Sequence, residues 1–548
     1  GMMVSCDDAL KEQPYGKLTM DEFLKDPSNF RLLVGQVYTD ITWLHDHWLY
    51  FGLCTLSSDE GVIGTRTPGS DWSDGDFWRA LNTHTWDAKG LAFEYVWNTC
   101  NSGAISCNKN LQTLEEYKDK FSDSDYARYK AELEVVRSFY YYTLFDCFGR
   151  IPYTEKFSNE YVPLMEPEDV WKNLVRVLVD NAEAMPEVDN PSREYNYALA
   201  TKGMAYTMLA RLYLNAESFG VSPATLAEYD VYTKCVDACD KVINSGKYRI
   251  EDDFFTNFKI NNEGSEENIF VILEDGSNNN VRSTGYPMNK LRIIFLSHHY
   301  NIQKLWNTQL DCWNGFCATE EFINLYDAND HRGASPDDDL TGGSKSKGRW
   351  GWMVGPVYSP KDKVTGKDSI SVDTGVAEGE YGRRLRYTKK LLSQDGHSAA
   401  TVDDLARSAG ARFWKYEPDT LGQYKYMEND FVLLRYADVL YMKAEAILRG
   451  GKGSIANQMA DFQKMQTRVG LDASRANTIV NDLDEIYKER AREFAWELTR
   501  RRDMIRFKTF WTAVYGFNKG GGDEHLKWFP ISETTLASEP RWTQNPGY

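Results

Sequence analysis

The chain has 548 residues, 42 % of them hydrophobic, which is enough for a large buried core, and a formal net charge of −18. That acidity, with no dense Lys/Arg run, argues against a nucleic-acid binder, which needs a basic face; no apolar run reaches the ~18 residues of a membrane-spanning helix. The 16 Trp and 33 Tyr exceed what a core easily satisfies, because each buried N–H or O–H needs a partner, so some of these rings are expected at the surface.

The first residues read as a tether. Met3-Val4-Ser5-Cys6 resembles the end of a lipoprotein signal, with a small residue before the cysteine, and Asp7-Asp8 follow at once. Cys6 is therefore expected to carry a lipid, with residues 1–19 as the tether and 20–548 as one body. Residues of about 50–105 are a first insertion, rich in Gly, Asp, Ser and aromatic residues, with weak periodicity. Asp71-Trp72-Ser73-Asp74 and Asp76-Phe77-Trp78-Arg79 stand out there.

Helical repeats follow, over about 130–250. In 131–148 the apolar positions Leu133, Val136, Tyr140, Leu144 and Phe148 keep to one helix face, and Gly149 with Pro152 stops the helix. A second helix is predicted over 198–216 and a third over 229–243, with Ala-lined contacts of the tetratricopeptide kind. Cys235 and Cys239, four apart, suit two neighbouring buried thiols rather than a disulfide or a zinc site. Residues of about 275–430 form the second aromatic-rich insertion, and helices over 432–448 and 482–502 open a second repeat region at about 430–505. Such repeats cannot bury their faces alone and must stack into one body. Long irregular insertions on a rigid scaffold are where binding sites usually sit.

Several segments carry a resemblance in their order along the chain. Glu132–Pro152, ELEVVRSFYYYTLFDCFGRIP, resembles the signature helix of the SusD/RagB family. ATKGMAYTMLARLYLNA from Ala200 is similar to the family's next helix, DKVINSGKY from Asp240 to the turn closing its partner, LRYADVLYMKAEA from Leu434 to its Arg-Tyr-Ala-Asp helix, ERAREFAWELTRRRDMIRF from Glu489 to its Glu-Arg-x-x-Glu helix, and FPIS…TQNPGY to its C-terminal tail. Near Trp97–Cys107 the chain departs from the family's pair of Asn residues, having Asn101 but Ala104. The resemblance implies a mainly α fold of four tetratricopeptide-like units with an irregular face bearing the ligand site. It also implies a non-catalytic, cell-surface outer-membrane lipoprotein that binds oligosaccharide or polysaccharide and passes it to a TonB-dependent SusC-like transporter. Within the same family, RagB-like import of peptide or protein is the alternative.

Candidate chemistry points the same way. Arg435, Asp438, Glu489 and Glu493 are expected to be structural, and Glu497 with Arg501 to be an i,i+4 pair on a solvated face. No glycosidase-like pair of carboxylates is singled out. His45-Asp46-His47 and His298-His299 lack metal-motif spacing, no Gly-x-Ser-x-Gly elbow occurs, and no cofactor or metal is implied. Asp327, Asp330 and Asp337–Asp339 read as solvated loop acids rather than a calcium site.

Sugar rings offer one C–H face and a rim of hydroxyls, so binding them needs flat rings beside Asp, Asn or Arg. The residues that combine these types are Asp71, Trp72, Asp76, Trp78, Arg79, Trp86, Asn101, Trp306 and Trp313, with Trp350 and Trp352 as further options. A tetratricopeptide protein-interaction scaffold would instead display its binding residues on helix faces, and the Trp-rich loops favour sugars over it.

Overall fold

A computed structural model describes residues 16–64, 72, 74–188, 198–274, 296–305, 307–309, 311–333, 351–356, 386–391, 408–424 and 426–548. Among these the chain is mainly α. Among the described residues four short helices precede the repeats: Gly16–Phe23, Phe30–Gln36, α1 (Tyr50–Ser57) and α2 (Phe77–Thr83). Then come α3 (Leu91–Glu116), α4 (Asp123–Phe148), α5 (Pro167–Ala182), α6 (Lys202–Leu214), α7 (Val231–Asn244), α8 (Tyr436–Leu448), α9 (Leu483–Glu493) and α10 (Arg500–Arg506).

Each long helix packs on the next: α3 on α4, α4 on α5, α5 on α6, α6 on α7, and α7 across the insertion on α8. The two regions separated in sequence are therefore one stack. Ser122 caps α4 by accepting the Asp125 amide, and Gly149, at φ 71°, ends it by donating to the Phe145 carbonyl. From Ala131 to Phe148 nearly every side chain of α4 is buried, not the single stripe that its periodicity predicts. The helix runs through the middle of the stack, between α3, α5 and the C-terminal segment. Gly103 lets α3 approach it, since a Cβ there would come within 2.3 Å of the Tyr140 ring. Cys235 and Cys239 are buried thiols, as expected.

Strands are few. β1 (Asn268–Ile272) pairs antiparallel with Phe431–Arg435, with Asn268 opposite Arg435 and Ile272 opposite Phe431. Two-residue ladders join Trp352–Met353 to Arg412–Phe413 and Gly355–Pro356 to Arg386–Tyr387. The predicted helix over 432–448 thus begins as a strand, and strands are not confined to the insertions. A five-residue apolar run such as FVLLR fits a buried strand as well as a helix turn.

The C-terminal helix region corrects the sequence reading most. Glu497 and Arg501 are not a solvated pair: they are 4 % and 0 % exposed. The predicted helix over 482–502 breaks after Glu493, with Trp496 at φ 60° and Leu498 at φ 69°. Left-handed backbone costs roughly 1–2 kcal/mol at a non-glycine residue. The break is held by Glu60, whose carboxylate accepts the Trp496 amide at 2.9 Å and whose carbonyl accepts its indole N–H at 2.7 Å. It also redirects a run of arginines inward. Arg500 reaches Asp59, Arg502 reaches Asp146, and Arg506 reaches Glu445.

A second buried network surrounds Arg435. Its guanidinium contacts Glu267, Glu493 and Glu497, while Arg468 shares Glu267 and Glu493. Arg332 bridges Asp330, Glu489 and Glu493, and Lys415 sits 2.8 Å from Glu497. These groups join β1, its partner strand, α9 and the second insertion at one point. Their value lies in mutual satisfaction, because any one charge left alone there is strongly penalised.

Candidate functional site

The turn over 44–48 places His47 under a set of aromatic rings. His47 is 2 % exposed and lies 5.1 Å from Trp72, 5.4 Å from Trp313, 5.7 Å from Trp78 and 5.8 Å from Trp48, centroid to centroid. Trp72 stacks on Phe316 at 5.5 Å and meets the edge of Trp313 at 5.1 Å. Gly315 lies directly beneath it: a Cβ there would fall 2.3 Å from the indole. On the other side Trp48 stacks on Phe77 at 6.0 Å and meets Tyr95 edge-on at 6.1 Å. Trp48, Trp72, Phe77 and Trp313 are half-buried and Tyr95 is 39 % exposed. His47, Trp78 and Phe316 form the floor. The result is an aromatic face open to solvent on one side.

Polar groups border it. Asp74 and Asp76 are exposed on the loop leading into α2. The Asp74 carboxylate accepts the Trp72 indole N–H at 2.7 Å and the Trp78 indole N–H at 2.6 Å. Asp46 accepts the Trp48 backbone amide at 2.9 Å, which fixes the turn. Flat rings framed by carboxylates suit the C–H face and hydroxyl rim of a sugar. Each ring that loses ~50 Å² of apolar surface to a ligand contributes roughly 1 kcal/mol.

The predicted residues divide accordingly. Trp72, Trp313 and Asp76 lie at this face. Trp78 belongs to its floor: at 1 % exposure it is a core ring and cannot present a platform. Trp86, at 6 %, is also core, packed on Phe529 and donating its N–H to the Tyr548 hydroxyl. Arg79 turns its guanidinium over Phe517 and donates to the Ile63 carbonyl. Asn101 lies within α3 rather than in a loop, and its amide donates to the Trp97 carbonyl one turn back. Trp352 is fully buried against Phe413. Asp71, Trp306, Trp350, Asp337–Asp339 and Cys6 lie outside the described residues.

Trp48 and Tyr95 were not singled out from the sequence. Tyr95 sits on a regular helix and Trp48 in a His-rich turn weighed for metals, so neither stood in a recognisable loop. Asp327 and Asp330 are ion-paired with Arg475 and Arg332.

Glu267 and Glu489 of the buried network are held ionised. Burial pushes Glu267 and Glu489 up, but Arg468 and Arg435 on the first, and Arg332 and Arg492 on the second, outweigh it and hold each at about 2. A general acid needs a pKa near the working pH, the opposite arrangement.

Comparison with known proteins converges on one family. The SusD family profile matches residues 266–548, and a profile described as starch-binding, associating with the outer membrane, matches residues 60–214. The chain is 22 % identical over 505 residues to the starch-binding protein SusD of Bacteroides thetaiotaomicron, covering 87 % of this chain and 82 % of that one. Among solved structures, surface glycan-binding protein A of Bacteroides thetaiotaomicron in complex with laminarihexaose superposes with a TM-score of 0.68 at 18 % identity. That match covers 94 % of this chain and 99 % of the other. The homologous protein of Bacteroides fluxus gives 0.69 at 18 %, covering 95 % and 99 %. At such identity these structures speak for the fold.

Proposed function

This chain belongs to the SusD family, and from that premise we propose that it binds neutral glycan at the outer-membrane surface without cleaving it, for delivery to a SusC-like TonB-dependent transporter. The observation that carries the reading is the aromatic face of Trp48, Trp72, Phe77, Tyr95 and Trp313 with acidic residues at its border. Its rings match the C–H faces of pyranoses. Its carboxylates and the net charge of −18 disfavour sulfated or uronic chains. A few stacked rings give micromolar to millimolar affinity, suited to a protein that must release its cargo.

Relatives described as binding starch and laminarihexaose support the glycan class. Residues 20–548 act as one body, tethered through a lipid on Cys6. Titration calorimetry with laminarihexaose and with soluble starch tests the binding. Heat from a glycan that is lost in W72A supports the reading, and no heat from any glycan across a broad array contradicts it. Replacing Cys6 by Ala in the native cell tests the tether by release from membranes, and co-purification with a β-barrel from mild detergent tests the delivery.

A further inference from the structure

The loop before α2 bends in an unusual way. Asp74, Gly75 and Asp76 are successive left-handed residues, at φ 44°, 68° and 65°. Two of them are non-glycine, and Asp tolerates this backbone better than most residues. The bend brings one carboxylate oxygen of Asp74 to both Trp72, two residues before it, and Trp78, four residues after it, at 2.7 Å and 2.6 Å. The two indoles are 5.8 Å apart and tilted by 59°. Trp78 is core and its N–H needs an acceptor, so its position is set by packing. Trp72 is half-buried and rests on Phe316 and Gly315. A shared acceptor thus ties a half-buried ring to a core ring.

We propose that Asp74 is a positioning residue of the aromatic face, fixing the tilt of Trp72 before a glycan arrives. The inference rests on the reading of that face as a sugar site, and it adds how one ring is made ready. A charge-assisted hydrogen bond is stronger than a neutral one. Holding the ring in place in advance removes the ordering cost that binding would otherwise meet. Both acceptor contacts fall on one oxygen atom, which couples the tilt of Trp72 to the position of Trp78 through one side chain.

The test uses the full chain labelled with 15N, with the indole resonances of Trp72 and Trp78 assigned through W72F and W78F. Variants D74A and D74N are compared with D87N, a nearby loss of the same charge away from the rings. In D74A both indole N–H resonances are expected to move and the Trp72 indole to become more mobile. Laminarihexaose affinity should fall about tenfold, with D74N intermediate and D87N unchanged. Should D74A not fold, D74N keeps an acceptor oxygen without the charge and carries the same readouts. Unchanged resonance and mobility of Trp72 in the Asp74 variants, with glycan binding lost in W72A, would overturn the inference and leave the sugar reading standing. A mobile Trp72 in D74A with full binding in W72A would overturn the sugar reading instead, and with it the role assigned to Asp74 in binding.

Discussion

Trp72 and Trp313 meet edge to face, with ring centroids 5.1 Å apart and planes at 86°. One comes from the loop before α2 and the other from the second insertion, so two irregular segments far apart in sequence form a single corner. Edge-to-face pairs contribute roughly 0.5–1.5 kcal/mol beyond their buried area. Each ring therefore helps to orient the other, and their contributions to a ligand should not add.

Gly315 is the support of that corner. A methyl group at this position would meet the Trp72 ring at 2.3 Å and the Leu296 carbonyl at 2.4 Å. Gly315→Ala should cost about 1–3 kcal/mol of stability by overpacking and weaken glycan binding by displacing the ring. Calorimetry beside thermal melting checks this. Unaltered affinity would mean that the seat of Trp72 is unimportant to binding.

Trp78 and Trp86 should behave as core. Truncation of either to Ala is expected to cost about 3–5 kcal/mol of unfolding free energy, read from denaturant curves. A Trp86→Ala variant that kept its stability while losing glycan affinity would reinstate that ring as a platform.

The network around Arg435 should fail as a unit. Arg435→Ala removes the partner of Glu267, Glu493 and Glu497 together, and stranding buried charges costs about 3–5 kcal/mol or more. Because Lys415 and Arg468 share those carboxylates, double variants with either should be less destabilising than the sum of the singles. Additive losses would show that the pairs are independent.

Stability should depend on pH from both sides. Burial raises Glu267, Glu489 and Asp438, but their arginine partners prevail and hold each at about 2, below the ordinary 4.5 or 3.8. Depressed carboxylates stabilise the fold above their unfolded pKa, so this contribution should disappear as pH falls from ordinary carboxylate values to about 2. Asp430 behaves oppositely. Burial, helped by Glu263, Glu274 and Glu428, lifts it from 3.8 to about 8 despite the Glu274 amide, so it costs stability as pH rises through that interval. Asp430→Asn should flatten the decline in melting temperature between about pH 5 and 8. An unchanged slope would place the titration elsewhere.

Much of the scaffold was legible because local signals decided it. Gly149 ends α4 where its periodicity stops, and Cys235 and Cys239 are buried neighbours on one helix. The inward arginines were not legible. Glu497 and Arg501 at i,i+4 look the same on a solvated helix as in a core, and the groups they meet there, Arg435 and Asp146, are distant in sequence. The site divides similarly. Residue chemistry singled out Trp72 and Trp313, which the structure leaves half-buried and in contact, but loop composition could not tell them from Trp78 and Trp86, whose burial depends on Phe316, Phe529 and Tyr548 elsewhere in the chain.

The most direct measurement is the affinity of the wild type, W72A, W313A and the double variant for a glycan that the wild type binds, each paired with its melting temperature. The account predicts losses of about tenfold for each single variant, about 1.4 kcal/mol, a double loss smaller than their product, and melting temperatures close to that of the wild type. Full affinity in the double variant, with the fold intact, would contradict it and remove the aromatic face as the place where this protein holds sugar.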